Sequence, residues 1–204
     1  MQPFTPKYVA GPVSQLNAHR QQAFDHLLAS AVAHSSIGVR CIDYECSYPK
    51  HEFLKYLIGH YHVLLHGSND TSIEILEPRA ESDKAGERIH AVFAASDGIW
   101  PMFFAVLDRK PYSFSVNHGC RQELDDAGVL HRIYNFSTST LHDHPWTNGM
   151  MYILPSDTFV QQRNSKGDLY DEWASKVAVK PLAKLAVTPA DFPFLDEVQY
   201  HTHS

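Results

Sequence analysis

What most constrains this chain is a change of hydrophobic period near residue 60. Before it, apolar residues recur every three or four positions, the spacing of one helix face; after it, they come in short runs or in alternation, the spacing of strands. Ser14 is placed to cap a helix over residues 14–34, with Leu16, Phe24, Leu27, Leu28 and Val32 on its apolar face. Ser47 and Pro49 open a second helix whose apolar side is Phe53, Leu54, Leu57 and Ile58, and Gly59 is expected to stop it. Helices first and strands afterwards, with one helix inserted among the strands, is the order of an α+β protein with a largely antiparallel sheet. No Gly-x-Gly-x-x-Gly or phosphate-loop pattern points instead to a doubly wound parallel sheet.

Along the second part, residues 61–66 form an apolar run that ends at the turn residues Gly67, Ser68, Asn69 and Asp70, so a buried strand is expected to deliver His66 to its C-terminal end. Residues 77–88 turn to charges and small side chains, which suits a solvent-facing loop. A strand over 89–95 follows, then Ser96 or Asp97 caps a helix through Met102, Phe103, Phe104, Val106 and Leu107, with Pro101 tolerated in its first turn. Further strands are predicted at 112–116, 129–136, 150–154, 158–161 and 173–187. The segment from Cys41 to Pro49 reads as a short strand packing the helices on the sheet. With no repeat, low-complexity tract or linker, residues 1–204 form one domain, a helical layer over 1–60 and a core over 61–200; residues 201–204 are expected to fray.

Composition narrows the function. Hydrophobic residues at 44% against 20% charged are enough for a packed core. Seventeen Lys and Arg against 23 Asp and Glu give a net charge of -6, which repels nucleic acid and anionic membranes unless basic residues cluster. No apolar run approaches the roughly 18 residues of a spanning helix, and Pro3 and Pro6 interrupt the place where a signal peptide would be apolar. Cys41, Cys46 and Cys120 are odd in number and lack Cys-x-x-Cys spacing, which argues against a disulfide framework and a thiolate zinc site. A soluble, cytoplasmic protein is expected.

Three constellations carry possible chemistry. The first begins at Leu64, Leu65, His66, Gly67 and Ser68, continues through Ile73, Glu74, Ile75 and Leu76, then Ala91, Val92, Phe93 and Ala94 leading into a helix, and closes on Glu172 and Trp173. In that order the chain resembles the ADP-ribosyltransferase fold, in its poly(ADP-ribose) polymerase and diphtheria-toxin-like branch. There a strand ends in His-Gly-Ser or His-Gly-Thr, a Tyr-Phe-Ala strand leads into a helix, and a late Glu opens another strand. The resemblance spans roughly residues 60–190 and implies an antiparallel split sheet with NAD as substrate. It implies that His66 bonds a ribose hydroxyl, that Gly67 lets the nicotinamide amide reach the backbone, and that Ser68 helps hold the cofactor. It also implies that Phe93 or Trp100 packs nicotinamide and that Glu172 stabilises the oxocarbenium formed as nicotinamide leaves. Arg79 and Arg88 are candidates for the diphosphate, because Arg bonds phosphate oxygens bidentately. Two positions depart from the pattern: Val92 stands where the family has its stacking Tyr, and Tyr170 stands where arginine-specific members carry a second Glu or Gln.

The second constellation is metal-like. Among 14 histidines, His60, His62 and His66 would share one face of a strand, and His142, Asp143 and His144 add donors, but no His-Glu-x-x-His spacing appears. The third, a Cys41 or Cys46 nucleophile with a histidine, lacks the glycine turn or helix start that would activate a thiolate. The sequence therefore leads to NAD-dependent ADP-ribosyl transfer with an unspecified acceptor and no metal. The competitors are a non-catalytic NAD or ADP-ribose binder on the same scaffold, transfer of an RNA 2'-phosphate to NAD, an interaction protein and a His-rich metal binder.

Overall fold

A computed structural model describes residues 18–32, 38–82, 88–109, 117–124, 130–138, 145–163 and 167–202. In chain order its elements are α1 (Ala18–Val32), α2 (Lys50–His60), β1 (Val63–Ser68), β2 (Arg79–Ser82), β3 (Arg88–Ala95), α3 (Trp100–Val106), β4 (Asn117–Leu124), β5 (Leu130–Thr138), β6 (Gly149–Pro155), β7 (Val160–Arg163), β8 (Leu169–Ser175), β9 (Ala183–Val187) and β10 (Gln199–Thr202). The protein is α+β. Its main sheet runs β7-β8-β3-β1-β6-β9 with every neighbouring pair antiparallel, and β2 adds to β3. A second sheet, β10-β5-β4, pairs β5 antiparallel with β4 and parallel with β10. Among the described residues no helix is long and apolar enough to cross a membrane.

The sheet's strands read as apolar runs because both faces are covered. On one face Leu65, Ala95, Met151, Ile153, Ala183, Leu185 and Val187 meet Phe24 and Leu27 of α1, Phe53, Leu54, Tyr56 and Leu57 of α2, and α3. On the other, Leu64, Val92, Ala94, Met150, Tyr152 and Leu154 pack with Leu76, Phe159 and Val179. Strand β6, between β1 and β9, is buried from Gly149 to Leu154. The second sheet closes over α3 through aromatic rings: Phe103 lies 5.3 Å from Tyr134 and 5.8 Å from Phe192, and Tyr134 stacks on Phe194 at 5.9 Å.

Several expectations are corrected. Helix α2 begins at Lys50 with Pro49, not Ser47, at its N-cap, and it continues through Gly59 to His60, where the Tyr61 N–H closes on the Leu57 carbonyl. Strand β1 starts at Val63 and runs past His66, because Gly67 and Ser68 remain paired with Met151 and Met150. The charged segment after Glu77 is not all loop: Arg79–Ser82 pairs with β3 residues from Ala91 back to Arg88, and an exposed edge tolerates charged side chains. The single strand over 173–187 is two strands. The chain leaves β8 beside β3, turns where Ser175 Oγ donates to the Val177 carbonyl, and rejoins at the opposite edge as β9 beside β6. Residues 201 and 202 do not fray but lie in β10. The segment from Cys41 to Pro49 is not the expected strand but an irregular segment tied on by one isolated bridge between Cys41 and Lys184, with Ile42 N–H donating to the Lys184 carbonyl and Lys184 N–H to that of Arg40. The predicted strand 112–116 and the helix ends before Ala18 and beyond Val32 lie outside the described residues.

Candidate functional site

The main sheet comes apart between two of its central strands. Strand β1 pairs with β6 at all six of its residues, yet with β3 only at Leu65 and Ala95. Beyond that pair the His66 ring enters the gap, its Nδ1–H donating to the Phe93 carbonyl at 2.7 Å. A carbonyl can only accept, so the hydrogen is on Nδ1 and the neutral ring presents Nε2 as an acceptor. Burial, first of all, holds the His66 pKa down to about 4, with Arg109 and Arg79 adding repulsion against the bond to Phe93 that works the other way. His66 is therefore neutral at physiological pH.

A cleft of about 570 Å³ opens along this split, a size within the range of small-molecule sites. Its walls include His66, Gly67, Ser68, Arg79, Phe93, Trp100 and Glu172, all of the NAD-site candidates named from the sequence except Arg88. Glu172 and His66 line one cleft from strands two places apart in the sheet, β8 and β1, with β3 between them. Glu172 lies within β8, opposite Ala95, rather than ahead of the strand, and its Oε1 is buried. Phe93 is half-buried. Trp100 is only 3% exposed and is taken up by neighbours, with Tyr170 edge-on at 5.4 Å and the Arg132 guanidinium 5.9 Å from its ring. Of the two nominated aromatics, Phe93 is the more exposed residue. Val92, at the position of the family's stacking Tyr, is buried in the second core cluster and also lines the cleft. Tyr170 reaches across to the second sheet, its hydroxyl donating to the Cys120 carbonyl at 3.4 Å. Arg88 is exposed at the start of β3 and takes no part in the cleft wall.

Gly67 lines the cleft and also has a packing reason of its own. A Cβ there would lie 1.8 Å from the Pro101 carbonyl oxygen, so the missing side chain admits α3. Gly149 does the same on β6, where a Cβ would meet the Ala105 oxygen at 1.9 Å. With both glycines in place, the helix backbone rests directly on the sheet and holds Trp100, Pro101 and Phe104 against the cleft. The start of α3 is fixed from Asp97, whose Oδ1 accepts the N–H groups of Ile99, at 2.8 Å, and Trp100. Ser68 Oγ accepts the Asp70 N–H at 3.1 Å and begins the turn out of β1.

Sequence reasoning missed three parts of the site. Arg109 lines the cleft after α3. The wall over residues 70–77 is pinned by Tyr152, whose buried hydroxyl donates to the Asp70 carbonyl at 2.6 Å and accepts the Ile73 N–H at 3.1 Å. Behind Glu172, the Arg132 Nη2 of β5 bonds Asp171 and lies 3.2 Å from Asp97. Burial alone would lower the Arg132 pKa; Asp97, Cys120 and Asp171 outweigh it and raise the value above that of an ordinary arginine. None of these has a short motif: each residue becomes functional only through a partner far along the chain.

The shared strand face on which the metal reading rests does not form. His60 belongs to α2, where its Nδ1 meets the Tyr56 carbonyl at 3.0 Å, and His62 precedes β1, so the three histidines share no strand face. Among the described residues no three His, Cys, Asp or Glu side chains are grouped to hold a metal ion, and residues 142–144 lie outside the described residues. Cys41, Cys46 and Cys120 are free thiols, respectively exposed, half-buried and buried. Compared with protein-family models, curated proteins and solved structures, the chain matches none.

Proposed function

We propose that this protein is an ADP-ribosyltransferase-type enzyme that takes NAD into the split of its main sheet and transfers ADP-ribose with release of nicotinamide. The observation that carries the reading is the convergence of residues distant in sequence, from His66 to Glu172, on one cleft. In this reading His66 Nε2 accepts a ribose hydroxyl, its tautomer fixed by the Phe93 carbonyl. Phe93 packs the nicotinamide, Ser68 and the Gly67 backbone border it, Trp100 backs the wall, and Arg79 faces the diphosphate. As the bond from C1' to the nicotinamide nitrogen breaks, its electron pair leaves with nicotinamide. The Glu172 carboxylate opposes the positive charge that develops on the ribose. An oxygen or nitrogen of the acceptor then bonds C1' and gives up its proton. The free thiols suit a reducing cytoplasm.

The test is calorimetric titration with NAD, with nicotinamide release followed in the same sample. The wild-type protein is expected to bind and release, and Glu172→Gln to bind while losing roughly 100- to 1,000-fold in release rate. Binding with no release from the wild-type protein would reduce the cleft to a nucleotide-binding module. No binding at millimolar NAD would end the proposal.

A further inference from the structure

We infer that Arg132 is a positioning residue for the cleft, an inference that rests on the reading just given. Its guanidinium comes from β5 in the second sheet and does not line the cleft, but it holds two residues that set the cleft's walls. One is Asp97, which fixes the first turn of α3 and with it Trp100. The other is Asp171, the chain neighbour of Glu172, whose backbone carbonyl also accepts the Ser96 N–H at 2.9 Å. Trp173 completes the tie from the far side of Glu172, its Nε1–H donating to Ser96 Oγ at 3.0 Å. The carboxylate wall on β8 and the aromatic wall on α3 are thus held at one separation by a charge contributed from a different sheet.

The burial pattern makes this more than a surface ion pair. The Arg132 side chain is 2% exposed, Asp97 11% and Asp171 36%. A charge that deep is tolerated only when paired, and removing it leaves two carboxylates facing each other. Both aspartates meet the same nitrogen, Nη2, while Nε and Nη1 are buried with no hydrogen-bond partner among the described residues. Both carboxylates are therefore reached through one nitrogen of the guanidinium, a contact that does not need its fork geometry, and a lysine ammonium tests whether a positive charge at that place is enough. Loss of the charge should drive Asp97 and Asp171 apart, moving Glu172 relative to the site at His66 while leaving most of the binding surface in place.

The experiment uses the full chain as wild type, Arg132→Met, Arg132→Lys and the double variant Arg132→Met with Asp97→Asn. It measures the NAD dissociation constant, nicotinamide release and amide hydrogen exchange. Arg132→Met is expected to keep NAD affinity near the wild-type value and lose roughly 10- to 100-fold in release rate, the scale of a small misplacement. Exchange should rise in residues 96–104 and 169–175. Lysine should recover much of the rate, and so should Asp97→Asn beside Arg132→Met, because it removes the repulsion. Should Arg132→Met fail to fold, the lysine and double variants carry the same test through their rates and exchange. Wild-type release from the folded Arg132→Met protein, or losses of affinity and protection spread over the whole chain, would overturn the inference. If the wild-type protein neither binds nor cleaves NAD, the enzymatic reading fails by itself. Exchange then still decides whether Arg132 holds the two walls: a rise confined to the two segments supports it, and unchanged exchange refutes it.

Discussion

Replacing Gly67 with alanine tests the geometry on which the whole site depends. The backbone at Gly67 has no positive φ, so alanine can adopt its conformation and any cost is steric. The new Cβ would stand 1.8 Å from the Pro101 oxygen, 2.7 Å from the Pro101 carbonyl carbon and 3.1 Å from the Ala105 nitrogen. Real Cβ contacts essentially never fall below 3.0 Å, so α3 must retreat by at least 1.2 Å, the difference from 1.8 Å. All three atoms belong to the helix backbone and no side chain can swing aside. Overpacking of this kind costs about 3 kcal/mol, and for a chain of this length that lowers Tm by about 6–12 °C. Thermal unfolding followed by circular dichroism reads it, with Gly119→Ala as control, since a Cβ there meets only the Asn135 Oδ1 at 3.9 Å. If one retreat of α3 relieves both strains, adding Gly149→Ala to Gly67→Ala should cost less than the sum of the single changes. A Gly67→Ala protein that melts with the wild type and the control would show that α3 does not rest on β1 in this way.

Two other outcomes follow from single groups. His66, with its pKa held at about 4 against an ordinary 6.5, stays neutral in the folded protein where the unfolded chain would take up a proton. Its contribution, about 3 kcal/mol, is complete above pH 6.5 and is lost as pH falls toward 4. The stability advantage of wild type over His66→Gln should shrink across that window, and an NMR titration of His66 with a midpoint near 6.5 would contradict the account. Tyr152→Phe removes the hydroxyl that satisfies the Asp70 carbonyl and the Ile73 N–H. It should destabilise by about 2 kcal/mol and speed hydrogen exchange in residues 70–76; unchanged exchange there would refute the pinning.

The sequence reveals strands and caps where the signal is local. The apolar run into His66, the strand before Ser96 and the carboxylate of Asp97 at the start of α3 all follow from neighbouring residues. What it hides is pairing between distant ones. The stretch from Trp173 to Val187 is mostly apolar, with Lys176, Lys180 and Pro181 among its breaks, and the pairing of its first part with β3 and of its last part with β6 is what reveals that the chain crosses from one side of the sheet to the other. Gly67 illustrates the same limit within the site: a glycine beside a histidine invites a ligand reading, and nothing local announces that the place of its Cβ is taken by a helix that arrives more than thirty residues later. Arg132 looks like an ordinary strand residue between His131 and Ile133 until β5 is set against α3 and β8.

The break between β1 and β3 also bears on what such a site demands of its sequence. Where two strands stop pairing, the amide and carbonyl groups that would have met are turned toward whatever occupies the gap. The Phe93 carbonyl already serves His66 in this way. Peptide groups are the same whatever side chain they carry, so recognition through them leaves most flanking positions free to vary within the limits of packing. A cleft of this construction can persist while its sequence drifts, with strict demands at only a few places, such as the two glycines beneath α3 and the histidine in the gap.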